Sequence, residues 1–155
     1  MKSTMKNLLL TGLLVGLLDG IAAVVFLAKM NFEIVFKFIA SGIFGKSAFE
    51  GGTEMVLCGI ALHFLIAISF TGFFYFTFNR FDFLKNNKII RGLIYGIFIW
   101  TVMNILVLPL SNTPQNPHTL IGIAKGMIII MICVGLPISL LTKSYSEKRL
   151  DMVTS

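Results

Sequence analysis

Four apolar runs, each long enough to cross a bilayer, fix what this chain can become. They cover residues 7–29, 54–78, 88–110 and 119–142. A hydrocarbon core of about 30 Å needs about 20 helical residues rising about 1.5 Å each. Within lipid every backbone N–H and C=O must be satisfied inside a helix or a closed barrel. Four segments cannot close a barrel, so the sequence predicts an all-α membrane protein with four transmembrane helices. Composition agrees, with 56% of residues hydrophobic and 13% charged, the latter roughly half the usual share. A disordered chain, a disulfide scaffold and most soluble folds are excluded. The spans take up most of the 155 residues, which predicts a single membrane domain over 1–155 with no soluble domain beside it.

Lys2 and Lys6 followed by leucines look like the start of a cleaved signal, but the apolar run resumes after Asp19 and reaches spanning length. It reads as a retained first span. Residues 31–46 differ from the spans. Glu33, Lys37 and Ser41 recur every fourth position among Phe, Ile and Val, which makes a narrow polar stripe on a greasy helix, with Glu33 one turn before Lys37. Too short and too charged to span, this segment is predicted to be an amphipathic helix, interfacial or re-entrant, between spans 1 and 2. The glycines of SGIFGKSAFEGG mark a turn region after it.

Loop charges give an orientation. Lys2, Lys6, Arg80, Lys85, Lys88, Arg91, Lys143, Lys148 and Arg149 fall on one side of a four-span arrangement, and Lys29, Lys37 and Lys46 on the other. The positive-inside rule then predicts both termini in the cytoplasm. Basic residues form no stripe interleaved with stacking aromatics, so nucleic acid is not an expected partner. Cys58 and Cys133 sit inside apolar runs and read as small buried hydrophobes.

The informative residues are the polar ones that lipid should not tolerate. Asp19 lies beside a Gly12–Gly16–Gly20 ladder in the first span, and a charge there costs about 2.5–3.5 kcal/mol on insertion scales. It reads either as a protonatable coupling group or as a hydrogen-bonded packing residue. His63 shares a four-residue repeat with Gly59, Ala67 and Thr71, which points it into the bundle, as an interhelical hydrogen bond or a proton relay. Asn104 follows Gly92, Gly96 and Trp100 on the third span and reads as a bond across helices. Lys125 lies between Gly122 and Gly126 on the fourth. It either snorkels outward or reaches Asp19, from which it differs in depth by about one turn, roughly 5 Å. Asp19, His63, Asn104 and Lys125 are thus expected to form one intramembrane polar cluster. Glu50 and Glu54, around Gly51-Gly52, are candidate carboxylates at the outer mouth of span 2 or else plain solvated helix ends. A bend is expected at Gly135-Leu136-Pro137. A lone histidine makes a poor metal site, so no metal or other cofactor is predicted. No catalytic motif is present, so the reading is non-enzymatic.

The segments LLDGIAA, IASGIFGKSAFEGG, LHFLIA, YG…MN.LVLPLS and CVGLP, within residues 10–140, resemble a group of small bacterial inner-membrane proteins, the YagU-like domain of unknown function. The resemblance implies a bacterial inner membrane and four spans, and it implies no reaction. Two functional classes follow from the sequence. One is a membrane component that binds lipid, a small ligand or a membrane partner, with glycine ladders suited to a homodimer. The other is a small proton- or cation-coupled transporter using Asp19, His63 and Lys125.

Overall fold

The computed structural model describes residues 2–77, 87–114 and 120–142. All regular structure among them is helical. Helix α1 runs Lys2–Ala22 and continues as a wider π-helical turn, Ala23–Leu27. Two short helices follow, α2 (Phe32–Phe44) and α3 (Ser47–Glu50). Helix α4 spans Thr53–Phe76, α5 Lys88–Leu110 and α6 Leu120–Thr142. The four apolar spans have 23 or 24 residues each, enough for about 35 Å of rise. The protein is therefore a multi-pass, all-α membrane protein. Arg80, Lys85, Lys143, Lys148 and Arg149 lie outside the described residues.

Missing side chains at glycines decide which helices pair. On α1 a methyl placed on Gly12 would stand 2.9 Å from the Ile68 Cα, and one on Gly16 would stand 2.8 Å from the Phe64 ring. The backbones of α1 and α4 therefore approach more closely than any larger residue allows. The same device joins α5 to α6, where a methyl on Gly96 would meet the Met131 Cα at 2.5 Å and one on Gly92 the Leu136 Cα at 2.8 Å. At one end of the bundle, the end holding the N-terminus, an aromatic core fills the space between the two pairs. Phe74 and Tyr95 pack edge to face at 4.8 Å, and the Tyr95 hydroxyl donates to the Phe70 carbonyl at 2.5 Å. Val15, Ile99 and Ile138 complete it.

Arg91 is part of that core. It was counted above with the loop charges, but it lies four residues into α5 and is 1% exposed. Its guanidinium donates to the Ser139 hydroxyl at 3.0 Å and the Ser139 carbonyl at 3.2 Å, and stacks 5.1 Å over the Phe74 ring. Planar fork geometry makes both bonds and the stack attainable at once.

Two prolines are accommodated by π-helical turns. Val102–Val107 ends two residues before Pro109, and Met131–Gly135 two residues before Pro137. Proline lacks the N–H for the preceding turn, and its ring crowds that turn's carbonyl. Widening the turn relieves both problems, so the expected bend near Pro137 takes the form of a local π segment.

The amphipathic segment forms α2 as expected. Asn31 caps it, its Oδ1 accepting from the Ile34 N–H at 3.1 Å, and Glu33 pairs with Lys37 at 3.4 Å. The chain turns back into α2 through Lys29 and Met30, both left-handed (φ 49° and 69°). The turn is held by bonds from the Met30 and Asn31 amides to Val24 and Ala28. Helix α2 does not lie above the bundle. Its Phe36 carbonyl touches Gly59, where there is no room for a side chain. Gly59 is the seventh residue of α4, about 9 Å along that helix.

Candidate functional site

Next to the aromatic core, whose Val15 and Ile99 line it, lies a chamber of about 500 Å³. Asp19 and Ala23 of α1, His63 and Phe70 of α4, Trp100 and Asn104 of α5, and Gly122 and Gly126 of α6 form its wall. Phe38, Ile39 and Gly42 of α2 contribute the cover. All three π-helical turns among the described residues border it, through Ala23, Asn104 and Val134. Such turns push side chains and carbonyls out of α-helical register, and they concentrate at functional sites.

The cover is tethered from the far side of the chamber. The Asn112 amide N–H donates to the Gly42 carbonyl at 3.0 Å, and its side-chain Nδ2 donates to the Ile43 carbonyl at 2.9 Å. The last turn of a helix leaves its carbonyls without intrahelical partners. Asn112 satisfies two carbonyls in the last residues of α2 and so ties it to the end of α5. The Ser111 and Thr113 hydroxyls, 2.9 Å apart, line the chamber beneath that tether. Nothing local in the sequence announced this role for Asn112, because its partner is 69 residues away.

The structure brings together three of the four residues expected to cluster. His63 is buried, and its Nε2 lies 2.7 Å from the Gly16 carbonyl of α1. A carbonyl can only accept, so Nε2 carries the proton of this bond. Asp19 lines the chamber and makes no hydrogen bond or ion pair among the described residues. Asn104 also lines the chamber, but it does not bridge helices. Its Nδ2 donates to Trp100, one turn back on its own helix, at 2.9 Å. The π turn beginning at Val102 presents that carbonyl to the side chain.

Lys125 does not join them. It is exposed and absent from the chamber wall, while Gly122, Ile123, Gly126, Ile129, Ile130 and Val134 form α6's share of that wall. At about 100° per residue those six centre about 110° away from position 125. The expected Asp19–Lys125 pair is not made, and Lys125 faces outward instead. Glu50 and Glu54 form no ring at a mouth either. Both are exposed, and Glu54 Oε1 accepts from the Gly52 amide at 2.6 Å, capping the start of its own helix. An anionic cap there also suits the helix dipole.

A second, shallower groove of about 400 Å³ lies between α1, α2 and α4, lined by Gly20, Val24, Phe32, Phe36 and Phe64. His63 belongs to both walls. The imidazole is thus the partition between an apolar groove on the flank of the bundle and the polar corner of the chamber. Among the described residues no three His, Cys, Asp or Glu side chains stand close enough to share a metal ion. Comparison with known protein families, characterised proteins and solved structures finds no match. The functional reading therefore rests on this geometry.

Proposed function

We propose that this protein is a non-catalytic component of the bacterial inner membrane whose covered chamber holds a small, mainly apolar ligand or part of a lipid. The observation that carries the reading is the chamber itself, about 500 Å³, largely apolar, with a few polar groups at one side. Ligand sites commonly occupy about 300–1,000 Å³ and have this mix of greasy wall and sparse polar groups. A well-packed bundle this small has no structural need for such a void, whose lining forfeits packing contacts. Lys and Arg residues of both tails and of the 77–87 connection support termini in the cytoplasm. The test is native mass spectrometry of protein released gently from membranes. A retained small molecule or lipid that Ala23→Phe expels supports the reading, whereas a bare chain in both cases overturns it.

One observation favours transport as a second reading. The Asp19 carboxyl lines the chamber near the His63 imidazole, its electrostatic neighbour, and makes no hydrogen bond among the described residues. A carboxyl in that position can exchange a proton for a cation. Vesicles carrying the protein should then show proton flux on a cation gradient, and Asp19→Asn should abolish it. Equal flux in both would rule the coupling out.

A further inference from the structure

The chamber wall carries one carboxylate among its polar groups, that of Asp19. Asn104 adds an amide, Ser111 and Thr113 hydroxyls, Trp100 an indole N–H and His63 its imidazole. The carboxylate and the Asn104 Oδ1 accept hydrogen bonds. Among the described residues neither lysine nor arginine lines the wall, and the basic side chain that acts electrostatically on Asp19 is the His63 imidazole. The rest of the surface nearby is aromatic or aliphatic, including the Trp100, Phe38 and Phe70 rings, and such faces attract positive charge. A bare metal ion fits poorly, since one carboxylate on a greasy wall cannot replace the six or more oxygens a hard cation sheds. An anion would be repelled by the Asp19 carboxylate, and a wholly apolar molecule would offer it no donor.

We infer that the chamber takes an amphipathic amine in its ammonium form, with its N–H head at Asp19 and its apolar body against Trp100, Phe38 and Phe70. This rests on the reading of the chamber as a ligand site and names the chemical class of the ligand. An ammonium supplies a full positive charge for the Asp19 carboxylate and further N–H donors for the Asn104 Oδ1. Its carbon body then fills space that the side chains leave empty.

The protein carries its own reporter. Trp100 is the only tryptophan in the chain and lines the chamber, and bromine quenches indole fluorescence on contact. The experiment uses the full chain in nanodiscs of uncharged lipid and three ligands of one shape, para-bromobenzylamine, para-bromobenzyl alcohol and para-bromobenzoate. The amine should quench saturably and bind roughly tenfold or more tighter than the alcohol, with the benzoate weakest. Asp19→Asn should erase the preference for the amine, and Ala23→Phe should remove saturable quenching by all three. If amine and alcohol bind wild-type protein equally, the charge inference fails while the ligand chamber stands, and this comparison needs no variant to fold. A preference that survives Asp19→Asn also overturns the inference. If none of the three quenches saturably, the chamber reading itself falls.

Discussion

His63 Nε2 stands 2.7 Å from the carbonyl oxygen of Gly16, and this contact places a polar bond in the wall between the apolar groove and the chamber. Bonds between membrane helices contribute about 0.6–2 kcal/mol. His63→Leu should destabilise the protein by that amount in an SDS-titration unfolding experiment. His63→Gln, which keeps a donor of similar reach, should recover part of the loss. Equal losses for the two variants would show that the imidazole acts by volume and not by its bond.

The seat of α2 gives a sharper contrast. A methyl on Gly59 runs into the Phe36 backbone, whereas one on Gly72 meets only Leu8 Cδ1 at 3.8 Å. Both glycines lie in α4, so helix propensity affects both alanine variants alike. Gly59→Ala should cost about 1–3 kcal/mol through overpacking, and Gly72→Ala should fall within about 1 kcal/mol of wild type. Thermal unfolding of the two variants side by side measures the difference.

Removing the tether should loosen the cover without unfolding the bundle. Asn112→Ala deletes the Nδ2 bond to Ile43 and leaves the backbone bond to Gly42. The loss is about 0.5–1.5 kcal/mol, taken locally because the four long helices do not depend on it. Hydrogen exchange should rise at Gly45, whose amide bonds Ser41 at the end of α2, and stay unchanged at the α1–α4 seam. Faster exchange everywhere would mean that α2 is integral to the global fold.

Ser139 tests the buried arginine. Its hydroxyl accepts from Arg91 Nε and donates to the Lys88 carbonyl at 2.8 Å. Ser139→Ala leaves a guanidinium N–H without that acceptor in a dry site, at a cost of about 1.5–3 kcal/mol. Arg91→Lys should not be tolerated better than Arg91→Leu, since a point charge cannot reach both Ser139 oxygens while stacked on Phe74. Unfolding measurements that show lysine restoring wild-type stability would contradict the fork geometry.

What could be read in advance followed from periodicity. Gly59, His63, Ala67 and Thr71 recur every fourth residue, and all four are buried. Uninterrupted apolar runs likewise marked the four long helices, because lipid permits the backbone little else. What escaped was set by phase and by distance along the chain. Lys125 has glycine neighbours at positions 122 and 126, but a three-residue step followed by one residue turns it off their face. Arg91 resembled a loop charge because its acceptor is 48 residues away. The chamber was not legible as a volume. It arises where close glycine seams stop and π-helical turns begin, and it is covered by a helix whose burial depends on Gly59 and Asn112.

The outward position of Lys125 predicts the result of a double-mutant cycle with Asp19. Lys125 is exposed, and no described residue pairs with it, so Lys125→Ala should change stability by less than about 0.5 kcal/mol. Asp19→Asn acts on a different environment, the chamber wall. Residues without shared partners combine additively to within about 0.5 kcal/mol. The double variant should therefore match the sum of the singles in SDS unfolding. A coupling of 1 kcal/mol or more, on the order seen for interacting pairs, would mean that the ammonium swings inward and meets the carboxylate. Asp19 would then have a partner within the protein, and the case for an ammonium ligand would lose its main support.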